Sequence, residues 1–418
     1  MAATDRSGGG RRVFVTGLGL VSPHGGDPEE VFERLYAGES AIRKIRTGTA
    51  EFGNDTLLAT VAFDPAGVIP KVQLSVMDRV AQMAVVAAGR ALDAAHLLAD
   101  DRGPREAGVY IGCGLGGSHA FQEVSRTYYE RRSRKMRPAM VPMIMANAPA
   151  GHISMRYGLI GPSLTYSIAC ASSAMAIGEA FRAIRDGYLD CALAGGAESM
   201  LNDTTVAAWE SLGVLAREHP DGPAASSRPF ARDRSGFVLG EGAVVLVLET
   251  EDAMRARRAQ PIGEIVGFGA SSDAQNLTLP AVDGEVRAMR AAFADAGLAP
   301  EAIGYINAHA TATVGGDRVE IEAIKSAFGA HARRVAVSAT KSMHGHLVGA
   351  AGALEFAITL LALKQQRVPP TANLTTPDPD CDLDCVPVTG RRLPGIEYAL
   401  SNSFAFGGSN VALIARRS

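Results

Sequence analysis

The chain has 418 residues, 47% hydrophobic and 20% charged, with 46 glycines, which excludes a disordered or fibrous chain and fits an α/β protein with many tight turns. A net charge of −3 gives no overall attraction to nucleic acid or to an anionic membrane, so an acidic partner must be met by a local patch. No window approaches about 18 uninterrupted apolar residues and the opening MAATDRSGGGRR lacks an apolar leader core, so a soluble cytoplasmic protein is expected.

In chain order, RRVFVTGLGLVSP reads as a strand that breaks into a glycine loop. AQMAVVAAGRALDAA is apolar nearly all round and reads as a helix buried between sheets. The long polar stretch SHAFQEVSRTYYERRSRKMRPAM is followed by GPSLTYSIACASSAMAIGEAFRAI, a strand, a turn and a small-residue helix, and then by the strand DCALAGGAES. A second long connection, LAREHPDGPAASSRPFARDRSG, leads to the strand GAVVLVLET and the helix EDAMRARRAQ. Both connections are expected to lie over the entrance to a site.

The pattern then repeats. GEIVGFGASSD echoes the opening strand, RRVAVSATKSMHGHLVGAAGALEFAITLLAL echoes the strand, turn and helix, and YALSNSFAFGGSN echoes DCALAGGAES. Three echoes in one order predict an internal duplication, residues 1–255 and 256–418, packed as pseudo-symmetric α/β layers with helices at the centre.

The five cysteines are odd in number and scattered, so reduced thiols are expected rather than a disulfide framework. Cys381 and Cys385 have no second Cys or His pair at zinc-ligand spacing and read as loop and strand, so no metal site is expected. Cys170 differs, because TYSIACASSAMAIGEA places it where a strand turns into a helix. Free N–H groups and the positive dipole end of a helix favour the thiolate, and the same turn can hold an oxyanion.

His309 lies in YINAHATATVGGD, at a strand end, and His346 in SATKSMHGHLVGAAG. Forming a carbanion equivalent from a malonyl thioester requires the enolate oxygen to be stabilised as carbon dioxide leaves. Two imidazole N–H donors would do this. Lys341 sits in a small and apolar turn; a buried lysine needs an anion, and Glu320 in GGDRVEIEAI is the expected partner.

ACASS around Cys170, NAHATAT around His309, TKSMHGHLVGAAG around Lys341 and His346, and NSFAFGGSN near the C-terminus together resemble the elongating ketosynthases of type II fatty acid and polyketide synthesis. The match runs from about Arg12 to the end. The resemblance implies the thiolase fold, a layered αβαβα sandwich of two pseudo-symmetric halves, working as a homodimer or as a heterodimer with a chain-length partner. It implies an acyl chain carried on the cysteine, with acyl carrier protein delivering phosphopantetheine-linked acyl and malonyl groups and no cofactor. By matching motif, Cys170, His309 and His346 are the triad, with Lys341 and Glu320 in support. The backbone N–H groups of Cys170 and Phe406 form the oxyanion hole, and Phe406 is the gate. Thr311 and Thr313 bind the phosphopantetheine arm. Leu115 limits the depth of the acyl pocket, and Met140 is inserted near its end by the dimer partner.

Ala310 and Ala405 stand where the family usually has glycine, and His344 where it often has threonine; Ala405 is expected to stiffen the gate, because alanine disfavours positive φ. KVQLSVMDR lacks a dense basic cluster and SLGVLA lacks an arginine, so carrier docking is expected to lean on Arg131, Arg132, Arg134, Lys135 and Arg137. These departures point toward a specialised pathway. The alternatives are a non-extending acyltransferase, a chain-length partner, a coenzyme A thiolase and a non-enzymatic scaffold. Cys170 speaks against the inert partner, both histidines against a pure acyltransferase, and the lack of a late catalytic cysteine in NSFAFGGSN against a thiolase.

Overall fold

Val13–Val21 (β1) and Gly242–Thr250 (β5) are buried along their whole lengths, as strands covered on both faces must be. With Gly108–Gly112 (β2), Ser163–Tyr166 (β3) and Cys191–Glu198 (β4) they lie side by side in the order β3-β2-β4-β5-β1. Gly263–Ser272 (β6), Ile303–Asn307 (β7), Ala336–Ser338 (β8), Tyr398–Ala405 (β9) and Ser409–Arg416 (β10) follow the same plan, β8-β7-β9-β10-β6. Numbered within each half, both orders read 3-2-4-5-1. Antiparallel pairing of Val13, Phe14 and Val15 with Ile265, Glu264 and Gly263 joins them into one ten-stranded mixed sheet. The computed structural model describes residues 10–48 and 53–418; most of the opening stretch considered above as a leader lies outside them.

Six helices cover this sheet: Arg79–Ala94 (α1), Ala148–Tyr157 (α2), Ser172–Arg185 (α3), Val282–Ala296 (α4), Val314–Phe328 (α5) and Ala351–Gln365 (α6). α3 and α6 pack on each other and on strands of both halves, so they form the middle layer. Every residue of α6 from Ala351 to Leu363 is buried, which accounts for its lack of a polar face. The stretch Val348–Gln365 is long and apolar enough to cross a membrane, but 89% of it is buried inside this core. α1 was expected between sheets; it lies instead on the outer face of β1 and β5, with α2 against its other side and Arg90 and Asp93 left exposed. With α4 and α5 outside the second half, the layers run αβαβα.

Each echo in the sequence occupies one place in this plan. β1 matches β6, and β4 matches β9. β3 runs through the 3-10 turn Ala169–Ala171 into α3, as β8 runs through the short helix Lys341–His344 and the 3-10 turn Val348–Ala350 into α6. Even the strained residues correspond: Ala169 has φ +49° and Val348 φ +45°, both in the left-handed region that a side chain disfavours. Two strand-to-helix turns of one design therefore face each other across the molecule, and they carry Cys170 and His346.

Candidate active site

Cys170 and His346 meet at these turns, with His346 Nε2 2.9 Å from the Cys170 sulfur. His309 enters from the end of β7, its ring 5.5 Å from that of His346 and nearly perpendicular to it. The sulfur and one nitrogen of each imidazole lie within 4.8 Å of one another, and all three side chains are buried. Such a set would by composition suit a soft divalent ion. The Lys341 ammonium, 3.4 Å from His309 Nδ1, opposes a second cation there.

Hydrogen bonding selects the tautomers. Val348 N–H donates to His346 Nδ1 at 3.3 Å, and the Lys341 ammonium donates to His309 Nδ1. Each Nδ1 is therefore an acceptor, so each neutral ring carries its proton on Nε2. Burial first, then the Lys341 charge, pushes both imidazoles well below the usual histidine range and keeps them neutral.

The expectation that the helix start favours a Cys170 thiolate is corrected. Burial pushes the thiol up to about 12, and the Lys341 charge and a hydrogen bond from Phe406 N–H only partly oppose it. α3 begins at Ser172, beyond a 3-10 turn, and desolvation is the largest influence on the sulfur. The resting residue is a thiol, and its sulfur is met by two donors, Phe406 N–H and His346 Nε2–H.

Lys341 is 1% exposed, so it needs an anion, but that anion is Glu355 and not Glu320. Glu320 turns its two oxygens to the backbone N–H groups of His309, at 2.9 Å, and Ala310, at 2.7 Å, and also accepts from Asn402 at 3.1 Å. It holds the His309 loop rather than the lysine. A signal for Glu355 was present in the sequence: it is the one carboxylate inside the apolar run LEFAITLLAL. The Lys341 ammonium also donates to the His309 carbonyl oxygen at 2.6 Å, so one charge orients the histidine at two atoms.

Around the triad is a cavity of about 220 Å³ whose walls include Thr311, Thr313, Phe404 and Phe406. Thr311 and Thr313 hydroxyls are 3.2 Å apart, and Thr313 caps α5. The Phe406 ring stacks on Trp209, with centroids 6.2 Å apart. Leu115 and Met140 do not line this cavity: Leu115 is 50% exposed, and Met140 is buried against Ala120 and Met143. The cover over the cavity is also not the expected one. Leu277, Thr278, Leu279 and Pro280, in the connection after β6, form part of its wall. Neither of the two connections expected there lines the cavity, and the second holds Phe230 and Arg234 in the interior, Arg234 pairing with Asp378 at 2.6 Å.

Ala405 does not occupy positive φ; it ends β9, paired with Ser409, and the left-handed positions of the turn are Gly407 and Gly408. The stiffening expected from this alanine is therefore absent. Ala310 does have positive φ, as does Ala312. His344 is fully buried, between Gly345 O at 2.7 Å and the Thr340 hydroxyl at 3.0 Å. Cys381 and Cys385 are buried in the apolar core of the second half.

A layered αβαβα sandwich with a cysteine on one symmetric turn, a histidine on the other and a second histidine between them defines a condensing enzyme of the thiolase fold. Residues 10–253 match the family model "Beta-ketoacyl synthase, N-terminal domain" and residues 262–375 match "Beta-ketoacyl synthase, C-terminal domain". The 3-oxoacyl-[acyl-carrier-protein] synthase 2 of Synechocystis sp. is 39% identical over 414 residues, 97% of this chain and 98% of its own. Among solved structures, the ishigamide ketosynthase/chain length factor is 36% identical with a TM-score of 0.91, covering 98% of this chain and 100% of its own. A type II polyketide ketosynthase solved with its acyl-carrier protein (AntDE:AntF) is 30% identical with a TM-score of 0.89, over the same shares of the two chains. The chain belongs to the β-ketoacyl synthase family.

Proposed function

We propose that the chain extends acyl groups by decarboxylative condensation with malonyl-acyl carrier protein, in fatty acid or type II polyketide synthesis. The observation that carries this reading is one sulfur and two inward Nε2–H donors around a single cavity. Cys170 sulfur attacks the carrier thioester, Phe406 N–H holds the oxyanion, and the carrier thiol leaves with the cysteine proton. Malonyl thioester follows. Its bond to the carboxylate breaks, carbon dioxide leaves, and the electron pair moves into an enolate whose oxygen accepts from His309 and His346. The enolate carbon then attacks the acyl thioester, the C–S bond breaks, and the leaving sulfur takes a proton from solvent to restore the Cys170 thiol.

Thr311 and Thr313, at the cavity wall, suit the amides of a phosphopantetheine arm. Arg132, Arg134 and Lys135 are exposed and suit an acidic carrier. Among the described residues β3 is an unpaired sheet edge, and Leu115, Val141, Met145, Met155, Ile160 and Leu164 are exposed apolar residues. This supports pairing with a second chain of the same fold, identical or a chain-length partner, and it is there that Leu115 and Met140 would meet the acyl pocket. We place the protein in the cytoplasm, in keeping with its free thiols.

Intact-protein mass spectrometry after exposure to acyl carrier thioester, with and without malonyl carrier, tests the reading. An acyl adduct on Cys170 that disappears with formation of β-ketoacyl carrier is the expected result; no adduct would refute it.

A further inference from the structure

One group in the cavity wall has no part in this chemistry. Glu285, in the first turn of α4, lines the same cavity as Cys170, His309 and His346. It is 1% exposed, and its Oε2 has no hydrogen-bond partner among the described residues. A buried polar atom left unpaired costs free energy unless something arrives to satisfy it. The same cavity wall contains no lysine or arginine among the described residues, so an anion entering it would find no cation.

We propose that Glu285 binds the free carboxylate of the malonyl unit, the two carboxyl groups sharing one proton, and thereby selects a carboxylated extender over a plain acyl thioester. This rests on the condensing reading above and deepens it. Burial, reinforced by the nearby charges of Glu320 and Asp273, holds Glu285 well above the usual carboxylate range, so it meets the ligand as an acid. Two carboxyl groups in one dry site retain a proton between them for the same reason.

The arrangement suits a group that is about to leave. When the carbon-carbon bond breaks, its electron pair passes to the enolate held by His309 and His346, and the carboxylate departs as neutral carbon dioxide. Glu285 keeps its proton throughout. An arginine in its place would hold the anion more strongly in the ground state and would have to give up that stabilisation on the way to the transition state. The neutral acid holds the carboxylate less tightly. Glu285 is thus a substrate-binding residue whose effect falls on recognition.

The test is calorimetric titration of the whole protein with unreactive amide analogues of malonyl-pantetheine and acetyl-pantetheine. The wild type should bind the malonyl analogue about tenfold or more tightly than the acetyl one, as a hydrogen bond to a charged group implies. E285A should abolish this preference and leave acetyl binding unchanged, and E285Q, which retains an N–H donor of similar shape, should keep most of it. Equal binding of the two analogues by the wild type would overturn the proposal. So would a preference that survives in E285A, or loss of both ligands alike in E285A and E285Q. A wild-type protein that prefers the malonyl analogue yet forms no β-ketoacyl product would sink the condensing reading and leave this site standing.

Discussion

The Lys341 ammonium donates to the carbonyl oxygen of His309 at 2.6 Å while paired with Glu355, which fixes the His309 loop by a charge that stands behind the cavity wall. Burial pushes Glu355 up to about 7 and Lys341 pulls it down, so the pair stands only while both members are present. Lys341→Ala leaves an unpaired buried carboxylate and should cost about 3–5 kcal/mol of folding stability. Adding Glu355→Gln should recover a large part of this. Denaturant unfolding of the three proteins checks it, and a double variant no more stable than the single one would show that the pair is not coupled.

Cys170→Ala should abolish condensation and leave malonyl decarboxylation, because both Nε2–H donors remain. Released carbon dioxide and β-ketoacyl product, measured separately, decide this. Product from the variant would move the acyl carrier elsewhere.

Replacing His309 or His346 with alanine should slow decarboxylation on the order of 100-fold or more, as for a lost oxyanion donor, and slow loading of Cys170 much less. In nitrogen NMR of labelled histidine, both rings should show protonated Nε2 and bare Nδ1 at neutral pH and should stay neutral below pH 6.5. The sign for stability follows. Their depressed values mean that the unfolded chain binds protons first, so their contribution is complete above about pH 6.5 and is lost as pH falls toward the folded values. A ring that titrates near 6.5 would contradict the assigned partners.

Ala405→Gly should leave the range of acyl chains loaded unchanged, since Ala405 sits in strand geometry and the turn's flexibility belongs to Gly407 and Gly408. The extra freedom of glycine in the unfolded chain should cost about 0.5–1 kcal/mol. A broadened chain-length profile would return the gate to this residue.

Arg131 is tied to Glu123 at 3.1 Å and Arg137 reaches Ser75 O at 3.2 Å, whereas Arg134 and Lys135 form no ion pair among the described residues. Charge reversal of Arg134 and Lys135 together should raise KM for carrier-bound substrate, leave a small thioester mimic unaffected, and be imitated by added salt. Unchanged carrier kinetics at low salt would remove this patch from the docking surface.

Local pattern was enough for the duplication, the two strand-to-helix turns and the residues they carry, because a β-rich run, a polar turn and a small-residue helix are written in neighbouring positions. Cys170, His309, His346 and Lys341 stand out in the sequence for that reason, and the fold brings them together. What only the tertiary structure decided concerns which groups the packing brings into contact. Glu320 and Glu355 are both acidic residues near Lys341 in sequence, and the packing of α6 between the two halves, not spacing, gives the lysine to Glu355. The state of Cys170 likewise does not follow from its helix start, because desolvation depends on everything that surrounds the sulfur and here exceeds the opposing Lys341 charge and Phe406 hydrogen bond. Glu285 carries no mark in the sequence at all. It is an acidic residue in the first turn of a helix, where acids are common on the exposed face, and only the docking of α4 turns it inward to a cavity without a cation.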